Sequence, residues 1–69
     1  MATIRATING EERELSAGLT MTGLLAELEL APVRVAVEVN RELVSRRDFG
    51  ETTIRDGDHI EIVTFVGGG

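Results

Sequence analysis

The sequence contains no cysteine. That excludes a disulfide framework, a thiolate metal site and a thiol nucleophile, so any sulfur or redox chemistry must use another group. The same absence fits a reducing compartment. Residues 1–10 alternate in character and carry Arg5, without the apolar stretch of a secretory signal. No apolar run approaches the length of a membrane span. These absences lead us to expect a soluble, cytoplasmic chain. At 69 residues it has room for one domain and not for a large catalytic cleft, because a chain this short buries only about 60% of its unfolded surface. The formal net charge is -5, which disfavours nucleic acid and anionic membrane as partners. It suits a protein partner with a basic docking surface, and equally an ordinary soluble surface.

What is present reads as short elements of alternating type. Residues 3–8 alternate, with Ile4, Ala6 and Ile8 on one side and Thr3, Arg5 and Thr7 on the other, the period of a half-buried strand. Asn9-Gly10 is a strong hairpin signal, because a type I′ turn needs positive φ at both central residues. Residues 11–15 then return as a charged strand, expected at a sheet edge where charge discourages further pairing. Ser16-Ala17-Gly18 breaks the pattern, and Thr20 stands where an N-cap should, ahead of Met21, Leu24, Leu25 and Leu28 on one helical face. This helix is expected to run for about three turns until Pro32 stops it, and to need a sheet to pack against. Val33, Val35, Val37 and Val39 alternate with Arg34, Ala36 and Glu38 in the clearest strand of the chain. Asn40-Arg41 turns it into a short strand over residues 42–45. Residues 46–53 lack a clean period and are expected to cross the surface, with Phe49 and Ile54 pinned into the core. Asp56-Gly57-Asp58 forms a tight turn. Residues 59–66 make the last strand, with Ile60, Ile62, Thr64 and Val66 on one face and His59, Glu61, Val63 and Phe65 on the other.

A helix between a hairpin and later strands implies an α+β fold, a mixed sheet of four to five strands with one helix across one face. First and last strands side by side in the centre would run parallel, which is a β-grasp arrangement. The expected division is a folded domain over residues 1–66 and a flexible glycine tail over residues 67–69.

His59 is the single histidine. It follows an acidic turn, but no nearby serine completes a nucleophile motif, and a surface strand position explains it better than catalysis. Asp56, Asp58 and Glu61 lack the remaining ligands of a calcium loop, so no metal site is expected. Gly67-Gly68-Gly69 is no phosphate loop, since no helix and no lysine follow it. Arg46-Arg47 is too short a basic run for nucleic acid. Without Cβ atoms, Gly67, Gly68 and Gly69 can enter a channel too narrow for other residues, and three extended residues reach roughly 10 Å. The carboxylate of Gly69 would thereby reach another protein's active site while the folded body stays outside. Val63 and Phe65, with Ala36, would form an apolar docking patch on the open sheet face near the root of this tail; the alternative is that strand twist or residues 46–53 cover them.

With these residues in hand, the chain resembles the ThiS-type sulfur carrier family of thiamine biosynthesis, within the ubiquitin-like β-grasp group. The resemblance spans essentially the whole length and rests on three runs. They are Val37-Glu38-Val39-Asn40 followed by Glu42-Leu43-Val44; Asp56-Gly57-Asp58-His59-Ile60-Glu61-Ile62; and Phe65-Val66-Gly67-Gly68-Gly69. Phe49 stands where relatives frequently carry tryptophan, which bears on packing. The resemblance implies a protein co-substrate with no bound cofactor and no catalytic residues of its own. Its Gly69 carboxylate would be adenylated with ATP by an E1-like adenylyltransferase of the ThiF type. Sulfur from a cysteine desulfurase, delivered as a persulfide, would then leave a thiocarboxylate on Gly69 for a thiazole synthase of the ThiG type. Gly67 and Gly68 would thread the partner's channel. The alternatives are the related carrier for molybdopterin, whose last strand usually leads into a proline that residues 63–66 lack, and a ubiquitin-like modifier or interaction module.

Overall fold

The computed structural model describes residues 2–65. The local signals in the sequence set its elements. Strand β1, Thr3–Ile8, turns through Asn9 and Gly10, both at positive φ (51° and 84°), into β2, Glu11–Ser16. The hairpin register runs from Thr3 opposite Ser16 to Ile8 opposite Glu11. On β2 only Leu15 is buried, as its charge-rich composition requires.

Helix α1, Met21–Glu27, opens on Thr20, whose hydroxyl accepts the Gly23 N–H at 3.2 Å. Its start is tied to the later excursion by Met21 N–H to the Thr52 carbonyl and Ile54 N–H to the Leu19 carbonyl. The helix is shorter than its apolar spacing suggests, and Pro32 does not stop it. Glu29 adopts positive φ (60°), and two reversed bonds close the last turn, Leu30 N–H to the Leu25 carbonyl and Glu29 N–H to the Ala26 carbonyl. This is a Schellman ending built on a non-glycine residue. Pro32 instead begins a 3-10 turn, Pro32–Arg34. Val33 therefore lies in that turn, 64% exposed, rather than in the strand its alternation implied. Proline is preorganised for the first helical position, and Arg34 N–H closes the turn on the Ala31 carbonyl.

Strand β3, Val35–Val39, turns through Asn40 and Arg41, both at positive φ, into β4, Glu42–Val44. A 3-10 helix, Arg46–Glu51, then packs beside α1 and buries Phe49. Strand β5, His59–Thr64, closes the sheet. The strand order is β2-β1-β5-β3-β4, with β1 and β5 parallel in the middle and the other pairs antiparallel. The fold is the expected five-stranded mixed sheet with one helix across one face. Ala6, Ile8, Val37, Ile60 and Ile62 face Met21, Leu24, Leu25, Phe49 and Ile54 in one core. Thr64 shares the strand parity of Ile60 and Ile62 yet is exposed, at a level where only β3 still flanks β5. Val66, expected in the same strand, lies outside the described residues.

Candidate functional site

Side chains alternate along a strand, so burying Val35, Val37, Ile60 and Ile62 aims Ala36, Glu38, Glu61, Val63 and Phe65 at the uncovered face. The register completes the pattern. Ala36 lies opposite Val63, Glu38 opposite Glu61, and Leu43 of β4 opposite Glu38. Val63 is 59% exposed, Phe65 57% and Leu43 74%. The 3-10 helix Arg46–Glu51 does not shield this face; it buries Phe49 on the helix side. Val63, Phe65 and Ala36 are thus on one surface, as the alternation required. The docking role of that surface is taken up below.

Leu43 belongs to the same face but was not singled out from the sequence. Val44 next to it packs against the core, so Leu43 points out, which the sequence without the β3–β4 pairing does not reveal. Glu38 and Glu61 meet directly across β3 and β5. They line a shallow depression with Asn40, Arg41 and His59.

The acidic turn has a structural task. Asp56 accepts the Arg5 N–H at 2.8 Å, and Asp58 accepts the Arg55 N–H at 2.8 Å and the Asn40 side-chain amide at 3.0 Å. Gly57, at φ 87°, donates its N–H to the Arg5 carbonyl at 2.7 Å. The run Asp56-Gly57-Asp58 therefore stitches the entry of β5 to both neighbouring strands. Among the described residues, no group of three or more acidic or histidine side chains is placed to hold a metal. His59 is an exposed strand residue, and its backbone N–H donates to Asn40 Oδ1 at 2.9 Å. No helix among the described residues is long and apolar enough to cross a membrane. Gly67, Gly68 and Gly69 lie outside the described residues.

The geometry places a half-apolar, half-acidic face along the strand that leads to these glycines. The family model described as the ThiS family matches residues 4–69. A thiazole synthase from Paramagnetospirillum magneticum is 46% identical over 66 residues, covering 96% of this chain but 20% of that protein. The chain thus spans about a fifth of the length of that relative. The sulfur carrier protein ThiS of Bacillus subtilis is 44% identical over 50 residues, 72% of this chain and 76% of its own. The crystal structure of a thiamine biosynthesis protein, ThiS, from Geobacter metallireducens superposes with a TM-score of 0.81 at 38% identity, covering 96% of this chain and all of that one. With the family model reaching across nearly the whole sequence and the β-grasp sheet shared with that structure, the chain belongs to the ThiS family.

Proposed function

We propose that the protein is a sulfur carrier for thiamine biosynthesis, working as a cytoplasmic co-substrate that others act upon. The observation that carries this reading is the family match, which extends through Gly69. The apolar patch of Val63 and Phe65 beside the strand leading there supports it. In this reading the Gly69 carboxylate, ionised at neutral pH, attacks the α-phosphorus of ATP on an E1-like adenylating enzyme and releases pyrophosphate. The acyl-adenylate then has a good leaving group. A cysteine persulfide derived from a desulfurase attacks the acyl carbon and expels AMP. A second thiol takes the cysteine sulfur into a disulfide, leaving the thiocarboxylate on Gly69. A thiazole synthase accepts that sulfur. The match to a stretch of a longer thiazole synthase supports that choice of acceptor, since domains joined in one chain commonly serve one process.

The folded body supplies docking. Phe65, Val63, Ala36 and Leu43 offer apolar area, and Glu38 and Glu61 offer negative charge beside it. The partner surface that fits is apolar with an arginine or lysine facing the two glutamates. Gly67 and Gly68 pass through the partner's channel, where a side chain would obstruct. A direct test extends the chain by one bulky residue after Gly69. Loading should be abolished, because the reacting carboxylate is displaced; normal loading refutes a terminal-carboxylate mechanism.

A further inference from the structure

Strand β1 accompanies β5 for only two residue pairs, Thr7 with His59 and Ile8 with Ile60, before it turns away at Asn9. The Ile60 carbonyl and the two Ile62 backbone groups on that side are then left to Asn9. Its N–H donates to the Ile60 carbonyl at 2.9 Å. Its side-chain amide does the rest: Nδ2 donates to the Ile62 carbonyl at 3.1 Å, and Oδ1 accepts the Ile62 N–H at 2.8 Å. One side chain therefore replaces the next residue of a strand and extends the ladder by a step. Both bonds are partly buried. Beyond Ile62, the described residues show no further hydrogen bond to β5 from that side, and the last tie on the other side is Phe65 N–H to the Arg34 carbonyl at 2.8 Å.

Asn40 does similar work at the other end of β5. It too has positive φ (52°), and its Oδ1 takes the His59 N–H while its Nδ2 reaches Asp58. Two turn asparagines thus grip the strand, one at its entry and one near its exit. Turn formation explains why either position favours asparagine, but it does not require the side chain of Asn9 to reach a residue 53 positions away.

We propose that Asn9 is a positioning residue for sulfur loading: by clamping both backbone groups of Ile62, it holds the end of β5 in place against the sheet. This rests on the carrier reading above. Released from Asn9, the end of β5 is held on one edge only and can pivot about β3. Val63 and Phe65 lie on that released end and move with it, so alignment for attack is lost more often.

Asn9→Gly is the informative change, because glycine adopts positive φ freely and keeps the turn while removing the amide. Thr20→Ala is its control, removing a side-chain bond to a backbone N–H at the start of α1, away from the docking face. The experiment follows pyrophosphate release by the adenylating enzyme with ATP, at a temperature where circular dichroism shows all chains folded, together with amide exchange at Ile62. Asn9→Gly should expose the Ile62 amide to exchange and lower kcat several-fold. Thr20→Ala should leave kcat within twofold of the unaltered chain. An unchanged kcat for Asn9→Gly, or an equal fall for Thr20→Ala, overturns the positioning role alone. Failure of the unaltered chain to be adenylated overturns the carrier reading and this proposal with it.

Discussion

Glu38 and Glu61 stand directly opposite each other across β3 and β5 on the uncovered face of the sheet. No hydrogen bond or ion pair among the described residues engages either side chain. Like charges facing across a strand pair weaken a sheet, so the arrangement costs the isolated domain some stability. Glu61→Gln should raise unfolding free energy by about 0.5 kcal/mol in urea melts at low salt, with the gain shrinking as salt is added. The same substitution should weaken binding to the adenylating enzyme and flatten the salt dependence of that binding. Loss of stability together with unchanged binding would show that the pair serves the fold.

Phe65 separates docking from folding. More than half of the residue is exposed, so Phe65→Asp removes little from the core. The melting temperature should move by no more than a few degrees. Affinity for the adenylating enzyme should fall by about 2 kcal/mol, the scale of an aromatic anchor at an interface. A large drop in melting temperature would place Phe65 in the core instead.

Leu25 and Val33 make the opposite comparison. Leu25 is fully buried on the core face of α1, while Val33 protrudes from the 3-10 turn. Leu25→Ala should cost about 3 kcal/mol, within the range for truncating a buried leucine, a large share of a small domain's stability. Val33→Ser should stay within about 0.5 kcal/mol of the unaltered chain. Denaturant titrations of both variants check the assignment of Val33 to the turn.

Thr20→Ala should cost about 1 kcal/mol, because the Gly23 N–H loses its hydroxyl partner at the start of α1. Thr20→Ser should recover most of it. Equal losses for alanine and serine would mean that the methyl group, and not the cap, matters at this position.

Most of the fold was legible because its determinants are local. Asn9-Gly10 and Asn40-Arg41 announce turns through residues that tolerate positive φ. Thr20 announces a helix start, and the alternation in β1, β3 and β5 separates core from surface face. The errors fall where sequence spacing and physics diverge. Val33 continues the valine alternation perfectly, yet Pro32 is better accommodated at the head of a 3-10 turn. The helix is closed off by Glu29, just past its C-cap, in a left-handed conformation that glycine would have advertised and glutamate does not. At the site, strand parity sufficed to bring Val63, Phe65 and Ala36 to one surface. Leu43 required knowing which neighbour of β3 lay beside Glu38, and the grip of Asn9 on Ile62 joins residues too distant in sequence for any local pattern to reveal.

The central claim is that Gly69 is the atom-bearing end of the carrier, and the most direct measurement is the intact mass of the chain. It would be taken after incubation with the adenylating enzyme, ATP and a persulfide donor, with the ThiS protein of Bacillus subtilis treated in parallel. The carrier reading predicts a gain equal to the exchange of one oxygen for one sulfur, mapped by fragmentation to Gly69. No gain on this chain while the Bacillus subtilis protein is loaded, or a gain mapped to any other residue, would contradict it.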